Sequence, residues 1–220
     1  MEVAPTRGSK LCPKVILEGT RLTHKTDLAF ALNERPRLVG PRRYRYHSPL
    51  ISAEWCAFSP YPWGRGLINF EPAEEARAME TYATWARLFE LQPHYSWIVD
   101  RFHLLTQAYQ LEHGRRYDFG WLEERLLPLG FHVVLCTRRP ETFEAARAER
   151  LAVSGKPSQY DDLGVFLREQ DRFRELAAAS QLPVLELDMS DGDTDAACNG
   201  VADWLASTGG LWCTDERSGR

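Results

Sequence analysis

Four short apolar runs, separated by stretches with helical periodicity, constrain the fold of this chain most strongly. The runs lie at residues 14–18, 96–100, 131–137 and 182–188, and residues 37–40 form a weaker fifth one. Their apolar residues are nearly continuous rather than alternating, which is typical of strands buried on both faces of a parallel sheet. Strands of this kind alternating with helices predict an α/β fold, a three-layer doubly wound parallel sheet of about five strands.

Helical patterns fill the segments between these runs. They predict helices at residues 72–90, 140–153, 161–179 and 194–207, and a further helix that ends near Pro128 and Gly130. In sheets of this kind ligands bind beyond the carboxyl ends of the strands. Glu18-Gly19 and Asp100-Arg101 follow two of the predicted strands, so a site is expected there.

Size and composition exclude several classes of protein. The chain has 220 residues, 44% of them hydrophobic, and a net charge of −4, which suits one globular domain without a general attraction for nucleic acid. The five cysteines are scattered and form no C-x-x-C pair, which argues against a zinc site or a disulfide framework. Neither a signal core nor an apolar run of about 18 residues is present. We therefore expect a cytoplasmic protein without a membrane span.

The expected organisation is one domain at residues 13–207, with an N-terminal extension at 1–12 and a flexible tail at 208–220. Residues 41–70 are rich in aromatic residues and proline. This segment is interpreted either as a packed irregular insert or as a wall over a flat substrate on the acceptor side.

The segment EGTRLTHKT follows the first predicted strand and nearly matches the phosphate-binding pattern G-x-x-x-x-G-K-[ST]. In such loops the backbone N–H groups surround the phosphates, the lysine adds positive charge, and the hydroxyl holds Mg²⁺. The sequence therefore predicts a site for ATP and Mg²⁺. Its nucleotide-binding residues are Gly19, Thr20, Arg21, Leu22, Thr23, His24, Lys25 and Thr26.

His24 occupies the position of the second glycine of that pattern. Glycine lets the backbone pass close to the phosphates, whereas histidine adds a Cβ and a ring. The ring would either clash with a phosphate or donate a hydrogen bond to it. The alternative to a working site is a loop that keeps its geometry but has lost nucleotide affinity.

The run VDRFHLLTQAYQ at residues 99–110 closely resembles the D-R-x-x-x-S-x-x-A-Y-Q segment of thymidylate kinases. A later helix with Arg147 and Arg150, followed by SGKPSQYDD, resembles the basic lid region of that family, here residues 141–162. The resemblance covers about residues 13–205. It implies a P-loop kinase-like fold and phosphotransfer from ATP, with Mg²⁺, to a nucleotide or nucleoside-like acceptor.

Phosphoryl transfer depends mainly on positioning and on neutralising charge. Lys25 would hold the phosphates of the donor. Thr26 would ligate Mg²⁺, and Asp100 would hold a water bound to the metal or orient the acceptor oxygen. Arg147 and Arg150 share a helix face and could close over the transferring group, with Lys156 assisting, or they could form a solvated surface.

The resemblance also implies roles on the acceptor side. Arg101 would hold the phosphate of a nucleoside monophosphate as a two-pronged donor, Thr106 would contact the base, and Tyr109 would pack beside the sugar. The simpler alternatives are a local salt bridge between Asp100 and Arg101, and plain helix packing by Thr106 and Tyr109.

Departures from the family pattern lie in the loop and on the acceptor side. Arg21 replaces the usual aspartate of the loop, and the R-E-P-G segment is replaced by LVGPRRYRYHSP, which contains Arg42, Arg43 and Arg45. Arg43 is a predicted substrate contact. The positive charge of these arginines favours a larger or more anionic acceptor than dTMP, for example a modified pyrimidine nucleotide or a hydroxymethyl pyrimidine in DNA. A catalytically impaired nucleotide-binding module and a small-molecule phosphotransferase are the alternatives, and a homodimer is left open.

Overall fold

The computed structural model describes residues 10–40, 50–62 and 64–213. Within these residues a single parallel sheet has the strand order β2-β3-β1-β4-β5. The strands are β1 (Lys14–Glu18), β2 (Leu50–Ser52), β3 (Trp97–Asp100), β4 (Phe131–Thr137) and β5 (Val184–Asp188). The predicted α/β fold with a parallel sheet of about five strands is confirmed.

Helices connect the strands and cover both faces of the sheet. They are α1 (Lys25–Glu34), α2 (Pro36–Val39), α3 (Glu75–Leu91), α4 (His103–Glu112), α5 (Gly120–Leu126), α6 (Phe143–Leu151), α7 (Leu163–Ala179) and α8 (Thr194–Thr208). No helix in the described part of the chain combines the length and the apolar character that crossing a membrane requires.

The prediction of a strand at residues 37–40 is wrong, because Pro36–Val39 forms the short helix α2. Pro36 lies in its first turn, where the fixed φ of proline suits a helix and its missing N–H costs nothing. The edge strand is instead Leu50–Ser52, which pairs in parallel with β3.

Two apolar cores enclose the sheet. Ile16 of β1 packs on the side of α3, α4, α5 and α7, whereas Val15 and Leu17 pack on the side of α1 and α8. All five residues of β1 and all seven of β4 are buried. This burial on both faces explains why their sequences are continuously apolar rather than alternating.

The packed unit is longer than the predicted domain at both ends. Leu11 pairs with Trp212 in an antiparallel bridge, and Cys12 and Leu211 are buried. The predicted limits of 13 and 207 stay a prediction, and residues just beyond each limit contact one another. Residues 1–9 and 214–220 lie outside the described part of the chain.

The aromatic segment is described at residues 50–62 and 64–70. Ala53, Leu67 and Phe70 are buried in the core on the α3 side. The residues between Ala53 and Leu67 include a bridge between Ala57 and Gly66 and border a cleft described below. The segment thus combines a packed insert with a cleft wall.

Candidate functional site

The loop from Gly19 to Lys25 leaves β1 at the carboxyl edge of the sheet and leads into α1. Gly19 has φ 130°, and a Cβ added there would lie 2.2 Å from the carbonyl oxygen of Cys136. Leu22 and His24 also have positive φ, 67° and 51°, which costs a non-glycine residue about 1–2 kcal/mol. The loop therefore takes up left-handed turns at two positions without glycine.

Lys25 is buried at the start of α1. Its ammonium donates to the carbonyl oxygen of Thr20, and to the Thr23 hydroxyl at 3.3 Å. Burial, and then the positive charge of Arg101, lower the pKa of Lys25 to about 8. The lysine charge is thus directed at the oxygens of its own loop, inside the turn where phosphates would lie.

Thr26 and Asp100, the predicted metal ligands, are brought together. The Thr26 hydroxyl donates to Asp100 Oδ2 at 3.0 Å, while the other carboxylate oxygen, Oδ1, is buried without a hydrogen-bond partner. A buried oxygen in this state is costly unless something binds it. Since Mg²⁺ prefers oxygen ligands and often takes only one or two from the protein, this pair fits the metal.

Glu18 fixes the turn that contains Arg101. It is fully buried, and its Oε1 accepts the backbone N–H groups of Phe102 at 3.0 Å and Leu104 at 2.9 Å. Burial raises the pKa of Glu18 to about 7. These bonds hold the chain after β3, where Arg101 has φ 66°.

Arg101 has a carboxylate partner, but that partner is not Asp100. Its Nε lies 3.2 Å from Oε2 of the half-exposed Glu54, and Glu54 sits in the short turn that follows β2. An anionic acceptor at Arg101 would therefore compete with Glu54.

A cleft of about 390 Å³ opens beside the loop. Of the predicted residues, Gly19, Arg21, Arg101, Tyr109 and Lys156 line it. Two carboxylates, Glu54 and Glu169, line it as well. Both signs of charge are therefore present around the space available to a substrate.

Thr106 lies outside the lining of this cleft. It is fully buried, its hydroxyl is 2.6 Å from the Tyr82 hydroxyl, and it lies 3.3 Å from the carbonyl oxygen of Leu67. The predicted contact between Thr106 and a base remains a prediction.

The arginines of α6 bond to neighbours near them in sequence. Arg147 donates to Glu144 at 3.2 Å, and Arg150 donates to the Tyr160 hydroxyl at 3.1 Å. Neither arginine lines the cleft, so closure over it would need the lid region to move. Arg43 lies outside the described residues, as do Arg42 and Arg45.

Two further residues support the loop. The Thr20 hydroxyl donates to Glu169, a buried carboxylate in α7. The buried Arg138 donates from Nε to the carbonyl oxygen of Leu22 at 2.9 Å and from Nη2 to that of Met189 at 3.1 Å. Arg138 directly follows β4, so its place at the carboxyl end of a strand could have predicted it. Glu169 lies within a helix, and no feature of the sequence marks it in this way.

Comparisons with known proteins agree with this architecture. A structure of the YorR protein from Bacillus subtilis in complex with phosphorylated GDP has a TM-score of 0.56 and 17% identity, over 88% of this chain and 96% of that one. Thymidylate kinase from Candida albicans has a TM-score of 0.55 and 15% identity, over 93% and 96% of the two chains. No family model and no curated protein matches the chain. The chain therefore has a P-loop kinase-like fold.

Proposed function

We propose that this protein is a kinase that transfers a phosphoryl group from ATP to a nucleotide or nucleoside-like acceptor. The observation that carries the proposal is the Thr26–Asp100 pair, whose second carboxylate oxygen is buried and unpartnered. It lies beside the buried Lys25 in a strand–loop–helix arrangement that suits phosphates. The shared fold with a thymidylate kinase and with a protein bound to phosphorylated GDP supports the same reaction class.

The donor side would use the loop and the metal pair. The loop N–H groups and Lys25 would bind the phosphates of ATP once the ammonium turns from Thr20 towards them. Thr26 and Asp100 would hold Mg²⁺, which, when bound, neutralises the charge of the transferring group.

The acceptor side would use the cleft. Arg21 and Lys156 line it and have no ion-pair partner among the described residues, so they are available to an anionic group. Tyr109 offers a ring that could pack on a sugar or base. Glu54 is half exposed beside Arg101 and could accept the proton of an attacking hydroxyl. A modified pyrimidine nucleotide or a hydroxymethyl pyrimidine in DNA is the finer proposal, and it rests on Arg21, Arg43 and their neighbours in sequence.

The test is phosphate transfer from labelled Mg-ATP to a panel of nucleosides, nucleotides and hydroxymethylated DNA. Lys25→Ala and Asp100→Asn should each abolish transfer to the preferred acceptor. Lys10→Ala is the matched control, because Lys10 is an exposed lysine near the amino end of β1, whereas the loop follows the carboxyl end. Absence of transfer to every acceptor, with nucleotide binding unchanged by Lys25→Ala, would refute the proposal.

A second candidate is a catalytically impaired, kinase-like module whose loop keeps its geometry but binds ATP too weakly to stabilise the fold. It is favoured by one observation, the bonding of Lys25 to its own loop next to a buried carboxylate. This candidate predicts that millimolar Mg-ATP leaves the melting temperature unchanged, whereas a rise of several degrees would contradict it. His24→Gly separates the two: a gain of activity indicates a damaged loop, and a loss indicates that the ring contributes to a working site.

A further inference from the structure

A second cavity, of about 580 Å³, lies at the opposite edge of the sheet. Its lining includes Cys12, Lys14, His132 and Cys213. Cys12 lies just before the amino end of β1, whereas the phosphate loop follows the carboxyl end. The length of β1 separates the two regions by about 16 Å.

Backbone pairing brings the two cysteines of this cavity together. Leu11 and Trp212 form an antiparallel bridge, flanked by bonds from Cys12 N to Leu211 O at 3.0 Å and from Cys213 N to Lys10 O at 2.9 Å. Cys12 and Cys213 each follow a bridged residue, so they point to the same side of the pairing as diagonal neighbours. Both side chains also line the same cavity.

The two thiols differ in exposure. Cys12 is buried, and its Sγ also lies 3.8 Å from the carbonyl oxygen of Pro93. Cys213 is partly exposed to the cavity. Burial and the neighbouring Cys12 raise the pKa of Cys213 to about 12, while Lys14 and Lys10 lower it. Only a small fraction of this thiol is therefore ionised at neutral pH, so exchange through it is slow. Both thiols are free, and an oxidant entering the cavity meets Cys213 first.

A metal site is a poorer interpretation of this pair. The described residues contain no cluster of three or more histidine, cysteine, aspartate or glutamate side chains that could hold a metal ion. His132 is already bonded at both ring nitrogens, to Gly130 O at 3.0 Å and to the Thr208 hydroxyl at 3.1 Å. Two adjacent thiols without further ligands suit disulfide exchange better.

We propose that Cys12 and Cys213 form a reversible disulfide that joins the two ends of the chain, with a low-molecular-weight disulfide such as oxidised glutathione as the oxidant. The Cys213 thiolate attacks one sulfur of glutathione disulfide and releases the first glutathione as a thiolate. Cys12 then attacks the Cys213 sulfur of this mixed disulfide and releases the second. The two protons of the protein thiols pass to the two glutathiones, and the protein loses two electrons to the oxidant.

The disulfide would stabilise the fold and leave the phosphate loop unchanged. It would close a loop of 202 residues, from position 12 to position 213, and closing a loop of that length restricts the unfolded chain strongly. Because the pair lies in short segments outside the sheet, only these ends have to shift when the bond forms. The expected effect is a melting temperature several degrees higher in the oxidised protein.

The test is incubation of the full chain with oxidised glutathione, followed by non-reducing peptide mapping and a thiol count in denaturant. The expected results are a peptide pair linked through Cys12 and Cys213, a fall from five free thiols to three, a raised melting temperature, and reversal by dithiothreitol. Cys213→Ser and Cys12→Ser should each remove the linked peptide and the thermal shift. Cys56→Ser, at a partly exposed cysteine elsewhere, is the matched control and should keep both.

Three results would overturn the proposal: five unreacted thiols, glutathione retained on Cys213 without a link to Cys12, or a disulfide that involves another cysteine. Peptide mapping of the unmutated chain decides between them even where a serine variant fails to fold. None of these results depends on phosphotransfer activity.

Discussion

Glu169 places a negative charge where the proposed function requires the phosphates of a nucleotide. The residue is 8% exposed, lines the cleft with Gly19 and Arg21, and accepts the hydroxyl of Thr20. The change Glu169→Gln removes the charge and keeps an oxygen that can accept the same hydroxyl. We expect it to strengthen the binding of ATP and ADP.

The magnitude follows from Coulomb's law. A phosphate in the loop would lie roughly 6 Å from this carboxylate, since Thr20 belongs to the loop, and at an effective dielectric constant of about 20 two unit charges at that distance repel by about 3 kcal/mol. Lys25 and a bound Mg²⁺ would offset part of this repulsion, so a net gain of about 1–2 kcal/mol is expected, or roughly 5- to 30-fold in affinity. The weaker bond to Thr20 should cost about 1 kcal/mol of folding stability.

Calorimetric titration with Mg-ATP, ADP and adenosine would measure the effect. Adenosine carries no phosphate, so its affinity should not change. Glu175→Gln, at an exposed position of the same helix, is the matched control and should leave all three affinities unchanged. Equal or weaker binding of ATP by a folded Glu169→Gln variant would refute the electrostatic argument and would indicate that the charged carboxylate is needed to order the loop.

Three further predictions concern the buried groups around the loop. The pKa of Glu18 rises from 4.5 to about 7 on folding, so its contribution to stability is full below pH 4.5 and is lost as the pH rises through 7. Glu18→Gln should remove this loss, which is about 3 kcal/mol of unfolding free energy. Urea unfolding between pH 4 and 8 measures it, and a variant whose stability falls with pH as steeply as that of the unmutated protein would contradict the reasoning. Gly19→Ala should lower the free energy of unfolding by about 3 kcal/mol or more, because the added Cβ meets a backbone oxygen at 2.2 Å with φ at 130°. The control is Gly114→Ala, in open space at φ 73°, which should lower it by about 1 kcal/mol. Thr106→Val should lower the free energy of unfolding by about 1–3 kcal/mol, because it leaves the Tyr82 hydroxyl without its 2.6 Å partner. The acceptor preference in the transfer assay should not change. A changed preference at unchanged stability would instead favour the predicted base contact.

The strands that the sequence predicts best are those whose burial leaves the clearest pattern. β1 and β4 are buried at every residue, so their apolar runs are nearly continuous. β2 has only three residues, and two of them are only partly buried, so it has no pattern of its own. Residues 37–40 have the composition of a short strand, but the preceding Pro36 starts a helical turn. Runs this short are decided by tertiary packing rather than by local preference.

Tertiary packing also decides which contacts of the candidate site can be predicted from the sequence and which cannot. The bond between Thr26 and Asp100 follows from two strand ends that are neighbours in the sheet, which the order of elements already suggests. The bond between Thr20 and Glu169 joins residues 149 positions apart. The Arg101–Glu54 pair depends on the path of the chain after β2. No sequence spacing encodes these contacts, because they depend on where whole helices and turns come to lie.

Side-chain contacts stabilise the two residues of the loop that have a positive φ without being glycine, Leu22 and His24. At Leu22 the positive φ is held by Arg138, which binds its carbonyl oxygen, and by packing of its side chain on Phe143, Tyr160 and Phe166. At His24 the ring nitrogen Nδ1 lies 3.1 Å from Asp27. These contacts offset a backbone cost of about 1–2 kcal/mol per residue, and the first set ties the loop to the lid region. Movement of the predicted lid region would therefore either carry Leu22 with it or break this packing.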